Sequence, residues 1–193
     1  MTGSGGNTAV GKNALFSNST GSSNTAVGFG ANVSTGALTN STAIGAGAIV
    51  DASNKMRLGN AAVTVIQGQV AYTFSSDRNM KENFRSVDAQ EVLGKLRGLP
   101  VTSWNYIGHD PKEFRHYGPM AQDFYAAFGK DEVGEIGTPT TINSADEVGV
   151  LMAAIKGLDM ETQKTNAAKD KEIAKLHAES AAMKKRLAEL EAK

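Results

Sequence analysis

Through the first third of the chain the apolar positions are small and closely punctuated. A polar residue is followed by Thr, then Ala, then Val or Ile, then Gly. Asn7-Thr8-Ala9-Val10-Gly11 returns as Asn24-Thr25-Ala26-Val27-Gly28 and again as Ser41-Thr42-Ala43-Ile44-Gly45. The threonines stand at positions 8, 25 and 42, a period of 17 residues. Short strand-like units at a fixed period, broken by Gly and Asn, predict stacked β-repeats, interwound or solenoid-like, running to about residue 72. So regular a period argues against a flexible Gly/Ser linker. Side chains this small bury little apolar surface in one copy. Strands this thin are most easily buried when several chains wind together.

The pattern changes over Asn54–Phe74. Val63, Val65 and Val70 are β-branched and Gly59 and Gly68 punctuate, which predicts one or two short strands. From residue 77 to about 145 the spacing is that of a small globular unit. Val87, Val92, Leu93 and Leu96 keep helical spacing after a candidate cap at Ser86, with Gly98 near the stop. Val101 to Tyr106 alternates like a strand. The run from His116 to Gln122 turns into a helix over Ala121–Phe128, with Met120, Phe124 and Phe128 on one apolar face that reads as core.

Residues 146–193 read as one long helix. Its seam runs Val148, Leu151, Ile155, Leu158, Thr162, Thr165, then past Lys169 to Ile173, Leu176, Ser180, Met183, Leu187 and Leu190. The steps alternate three and four except for two consecutive fours around Lys169, a coiled-coil seam with one stutter. The heptads alone leave dimer and trimer open. The pattern thus divides the chain into a repetitive β segment (1–75), a globular segment (76–145) and a coiled-coil helix (146–193).

Composition narrows the function classes. The chain has 193 residues, with 20 basic and 20 acidic side chains and a formal charge of zero, so nothing points to nucleic acid or a membrane surface as partner. It has no cysteine, which removes disulfides and thiolate metal sites. No apolar run reaches the roughly 20 residues of a membrane helix. The opening MTGSGGNTAVG has neither the charged nor the apolar region of a signal peptide. It starts in mid-pattern, as a piece of a longer chain would. There is no phosphate-binding glycine loop and no metal-ligand cluster, so no cofactor and no metal is expected.

One short polar stretch carries candidate chemistry: Ser75-Ser76-Asp77-Arg78-Asn79-Met80-Lys81-Glu82-Asn83. A serine hydroxyl is a poor nucleophile until a base takes its proton. A lysine serves as that base only when its amine is neutral, which calls for burial or a neighbouring cation. Ser76 and Lys81 are five residues apart and meet if the chain turns tightly between them. The same residues equally fit a plain helix start, with Ser76 or Asp77 as cap and Glu82 in an early turn.

The ordered motifs from here onward resemble the self-cleaving S74 peptidase family, the intramolecular chaperone domains of phage tailspikes and tail fibres. Ser76, Asp77, Met80, Lys81, Glu82 and Phe84 match its opening Ser-Asp-x-x-Leu/Met-Lys-Glu-x-Ile/Phe. Leu96, Leu99, Val101, Trp104 and Tyr106 match a following Leu-x-x-Leu-x-Val-x-x-Trp/Phe-x-Tyr element. His116 to Gln122 resembles the family's His-x-Gly-x-x-Ala-Gln segment, and Asn143-Ser144-Ala145-Asp146 leads into the Leu151-Ile155-Leu158 helix. The repeats before it resemble the heads of trimeric autotransporter adhesins and similar repeats in phage tail fibres.

The resemblance implies an α+β homotrimer: an N-terminal repetitive β-structure, a small α+β chaperone domain, and a C-terminal helix in a trimeric coiled coil. It implies a domain that helps the upstream fibre fold, then cuts itself away with Ser76 as nucleophile and Lys81 as base. Asp77, Glu82 and His116 are supporting candidates. His109 and His177 read as solvated. The family implies scission at Ser76–Asp77. Attack by a serine on its own carbonyl closes a four-membered ring, whereas attack on the preceding carbonyl closes a five-membered ring and cuts Ser75–Ser76. Attack between chains would reconcile the two. The implied partners are two further copies and the upstream fibre as folding client, with any host receptor or glycan bound by domains further upstream. The implied location is the virion tail, after assembly in the host cytoplasm. The other class of reading is a non-cleaving adhesin stalk or trimerisation clamp. It has no need of a globular insert bearing Trp104, Tyr106 and His116, and an adhesin would end in a membrane β-barrel.

Overall fold

A computed structural model describes residues 5–192. The protein is mixed α and β and ends in a long helix, in keeping with the α+β class expected. It divides into two compact units, Met1–Phe74 and Ser75–Lys193.

The first unit is a solenoid made within one chain. Strands β1 (Thr8–Val10), β2 (Thr25–Val27), β4 (Thr42–Ile44) and β6 (Met56–Leu58) form one parallel sheet in the order β1-β2-β4-β6. Strands β3 (Asn32–Val33) and β5 (Ile49–Val50) pair in parallel as a second. The register keeps like residues together: Thr8 faces Thr25 and Thr25 faces Thr42, with Ala9, Ala26 and Ala43 in one column. The alanine column and the valines Val33 and Val50 point inward. Ala26, Ala43 and Val50 are fully buried, with Leu15, Ala31 and Ala48 in the same cluster. Small residues fill this core because the sheets lie too close for larger ones. Gly11 and Gly28 stack in the same way, at φ 124° and 134°. A Cβ at Gly11 would stand 2.6 Å from the Gly28 carbonyl oxygen, so only glycine fits both the turn and the rung spacing.

Each turn into a strand is held from inside by a side-chain amide. Asn7 Oδ1 accepts from Asn24 N at 2.9 Å, and Asn24 Oδ1 accepts from Ser41 N at 3.0 Å. Asn24 Nδ2 donates to the Leu38 carbonyl at 2.6 Å and to Asn18 Oδ1 at 3.2 Å. The buried amide therefore uses both its acceptor and its donors, as a buried polar group must. This asparagine ladder is why Asn opens two of the three repeats; Ser41 ends it, with its Oγ donating to the Ala52 carbonyl at 3.0 Å.

The last coil is shorter than the others. Thr42 pairs with Met56 and Ala43 with Arg57, so the 17-residue step becomes 14, and an arginine takes the place of the inward alanine. Arg57 is exposed and cannot continue the apolar column. From residue 61 to Phe74 the chain forms no strand. Of the one or two strands expected over Asn54–Phe74, one forms, β6; none forms around Val63, Val65 and Val70, which have no rung to pair with. Their apolar side chains stand in solvent: Val70 is 86% and Tyr72 91% exposed.

The second unit holds three helices and a hairpin. Helix α1 spans Ala89–Arg97, with Gly98 as its C-cap. Its N-cap is Asp88, not Ser86: the Asp88 carboxylate accepts from Gln90 N at 2.9 Å and Glu91 N at 3.1 Å. A carboxylate also suits the positive end of the helix dipole better than a hydroxyl does. Strands β7 (Thr102–Trp104) and β8 (His116–Gly118) pair antiparallel. Helix α2 spans Ala121–Phe128, and Phe124 is its buried anchor. Met120 is the N-cap and half-exposed, so of the expected face Phe124 and the half-buried Phe128 do the packing.

Helix α3 runs from Ser144 to Glu191, 48 residues, with Asn143 as N-cap, its Oδ1 accepting from Ala145 N at 2.9 Å. Helix α1 lies against its flank at Ala154 and Gly157, the two buried positions of α3. Gln90 Nε2 donates to the Gly157 carbonyl at 2.6 Å, and Arg97 pairs with Glu161 at 2.5 Å. A Cβ at Gly157 would stand 2.2 Å from the Ala89 carbonyl oxygen. Because α1 takes the flank, the seam of Val148, Leu151, Ile155 and Leu158 stays open, each 43% or more exposed.

Replacing the buried amide of the ladder tests the solenoid. Asn24→Ala leaves the Ser41 amide and the Leu38 carbonyl without partners. The expected cost is about 1–3 kcal/mol, read as a lower midpoint in urea unfolding of the β-structured part.

Candidate functional site

The second unit opens with a self-contained turn. Residues Arg78–Met80 make one 3-10 turn, and Asp77 is its N-cap. Asp77 Oδ1 accepts from Asn79 N at 2.9 Å and from Asn79 Nδ2 at 3.1 Å. The backbone closes beneath it, Met80 N donating to the Asp77 carbonyl and Lys81 N to the Arg78 carbonyl, each at 3.2 Å. So one half of the plain expectation holds: Asp77 is a cap. The turn is too short to be the start of a helix, however, because Lys81 returns to extended backbone at φ −127° and ψ 152°.

That return folds the chain back on itself. An extended run of five residues would separate Ser76 and Lys81 by roughly 17 Å. Here Lys81 Nζ donates to Ser76 Oγ at 2.7 Å. One residue earlier, Ser75 Oγ donates to Met80 Sδ at 3.3 Å. The Arg78 guanidinium lies 5.6 Å over the Phe84 ring, and Asn83 takes a positive φ of 56° to bring the chain round. All of these residues are exposed in the single chain.

The other candidates lie elsewhere in their contacts. Glu82 is exposed beside Lys81 in the chain. His116 sits on β8, stacked on Trp104 with ring centroids 4.7 Å apart and edge-on to Tyr106 at 5.6 Å. The structure makes it part of an aromatic cluster and does not bring it to Ser76 or Lys81. His109, expected to be solvated, belongs to the same cluster: its ring meets Tyr106 at 5.6 Å and Phe114 at 5.2 Å, and its Nδ1 is buried. A Tyr-x-x-His pair bending round Gly108 was the signal that spacing alone did not carry. His177 is exposed on α3. A cleft beside this cluster is lined by Trp104, Tyr106, Tyr117, Met120, Gln122 and Glu147 among others, and neither Ser76 nor Lys81 reaches it.

Asp131 is held below the ordinary carboxylate range by the Val133 and Gly134 amides. The Tyr125 phenol is raised by donating to Glu135. Among the described residues no three His, Cys, Asp or Glu side chains gather as a metal site, and no helix is long and apolar enough to cross a membrane.

The turn thus presents a solvent-facing serine hydrogen-bonded to a lysine five residues on. Residues 76–133 match the family Peptidase_S74, described as chaperone of endosialidase, and the match begins at Ser76 itself. Over these residues the chain is therefore similar to a family of chaperones that is also a self-cleaving peptidase family. No curated protein matches the chain.

The stack on Trp104 separates two roles for His116. His116→Phe keeps a ring on Trp104 and is expected to leave the melting temperature near that of the parent. His116→Ala removes a pair worth about 0.5–1.5 kcal/mol and lowers it. A loss of self-cleavage in His116→Phe with unchanged melting would assign the imidazole a chemical part.

Proposed function

We propose that this chain is the trimerising, self-releasing chaperone end of a phage tail fibre or tailspike. It assists the folding of the β-structured segment ahead of it, then cuts its own chain at the boundary. The observation that carries this reading is the 2.7 Å contact from Lys81 Nζ to Ser76 Oγ, at the first residue of the family match.

In this reading Ser76 is the nucleophile and Lys81 the base. With Nζ donating, Lys81 must first lose a proton before it can accept one from Oγ. Burial favours the neutral amine, and both residues are exposed in one chain. Assembly of three copies supplies the missing burial and makes cleavage wait for a correctly wound trimer. The serine oxygen then adds to the scissile carbonyl. The intermediate collapses to an ester, the freed amine takes the proton held by Lys81, and water hydrolyses the ester. The bond is Ser76–Asp77, reached by Ser76 of a neighbouring copy. Attack within one chain closes its five-membered ring on the Ser75 carbonyl and cuts Ser75–Ser76 instead. Asp77 supports the pair through its cap, and Glu82 and His116 are the further supporting groups.

The trimer draws support from two open apolar surfaces. On α3, Leu151, Ile155, Leu158, Ile173, Leu176, Leu187 and Leu190 keep heptad spacing and stand exposed. On the solenoid, Val10, Val27, Ile44 and Leu58 form an in-register exposed ladder. A rung-by-rung ladder is best covered by another with the same spacing, as a second copy would offer. The three segments, 1–75, 76–145 and 146–193, then act as fibre end, chaperone body and coiled coil. No nucleic acid, membrane or cofactor takes part, and any receptor binding falls to upstream domains of the virion tail. Once the chaperone leaves, the wound fibre is held by its barrier to unfolding rather than by equilibrium alone.

Intact mass under denaturing conditions tests the reaction. The parent is expected to give two fragments joining at residue 76, and Ser76→Ala a single whole chain. The fragment masses identify the bond. A folded trimer that stays whole on long incubation makes the domain a trimerisation clamp.

Breaking the seam tests the coupling to assembly. Ile155→Asp places a charge where three copies would meet, and is expected to give a monomer whose cleavage is slower by at least tenfold. A monomer that cuts at the parent rate overturns the requirement for assembly.

A further inference from the structure

The structure assigns Asn79 as a positioning residue for the Ser76–Lys81 pair, an inference that rests on the self-cleavage reading above. Ser76 and Lys81 sit at the two ends of the 3-10 turn, and neither is fixed by any other element of the unit. What sets their separation is the shape of that turn. Asn79 is the residue that fastens it. It gives Asp77 Oδ1 two donors at once, its backbone N at 2.9 Å and its side-chain Nδ2 at 3.1 Å. Most caps rely on backbone donors alone, and the helix caps at Asp88 and Asn143 do so here.

The side-chain donor matters because the turn is exposed and short. A single turn closed by two backbone bonds of 3.2 Å gains little from cooperativity. Water competes for each of those bonds. A charged acceptor with two donors from one residue is harder to displace. With the Asp77 carboxylate held over the turn, the incoming and outgoing strands lie side by side, and two successive pairs meet, Ser75 with Met80 and Ser76 with Lys81. Without the Nδ2 bond Asp77 keeps only the Asn79 backbone donor, and the distance within the pair is less firmly held. Asn79 touches neither reacting atom, so its effect passes through Asp77.

Self-cleavage rates of the parent, Asn79→Ala, the near-isosteric Asn79→Asp, Asp77→Ala and the Asp77→Ala/Asn79→Ala double variant test this, each checked for trimer formation and melting temperature. Asn79→Asp keeps the volume but replaces the donor with a second negative acceptor. Both Asn79 variants are expected to cut about tenfold or more slowly, with trimer and melting temperature unchanged. The double variant is expected to be no slower than Asp77→Ala, because the two act as one unit. Asn79 variants that cut at the parent rate, or rate losses that multiply in the double variant, overturn the assignment while the dyad stands. Slowing that follows a lost trimer or lowered melting temperature overturns it too. A parent that stays whole removes the dyad reading, and the assignment falls with it.

Discussion

A helix of 48 residues that buries only Ala154 and Gly157 within its own chain must cover its remaining apolar seam by other means. That constraint organises the second unit. Helix α1 has taken the flank, through the contact of Gly157 with the Ala89 carbonyl, and so leaves the seam rather than closing over it. The solenoid repeats the choice on a smaller scale. Its interior is satisfied by alanine, valine and asparagine, while Val27 and Ile44 face outward in register. Each unit is finished inside and unfinished on one face.

The polar turn at Ser76 is built on the opposite principle. Its bonds all fall between residues 75 and 84, so its geometry is local and does not wait for long-range packing. Ser76 and Lys81 are in contact while both remain exposed. Geometry and environment are thereby separated: sequence-local bonds supply the first, and burial has to come from outside the turn.

The sequence made different parts of this legible for different reasons. The 17-residue period was readable because parallel rungs stack like on like, so structure and sequence share one repeat. Helix α2 and the bulk of α3 were readable from spacing and from Gly and Asn at their ends. The start of α1 was misplaced because Ser86 and Asp88 are both good caps, and only the double acceptance by Asp88 decides between them. The strands read from Val63 to Val70 show the limit of periodicity: β-branched residues create a preference, but a strand needs a partner in reach. For the site, Ser76 and Lys81 drew attention through a resemblance, since five-residue spacing of two common residues means little. The Asn79 bond to Asp77 was not readable, because it depends on a rotamer inside a turn. His109 was misjudged because a histidine beside glycine and aspartate looks like a loop residue until Tyr106 and Phe114 close on it.

The short last coil has a consequence for how such an array changes size. Its 14-residue step and the exposed Arg57 stop the stack at one edge, whereas the internal rungs are alike: each presents an alanine and a glycine in register to its neighbours. Duplication or loss of one 17-residue unit between Gly11 and Gly45 would keep the alanine and glycine columns in register and shift the length by about 4.8 Å. Length is then a digital quantity, altered by whole-unit gain or loss in a coding sequence.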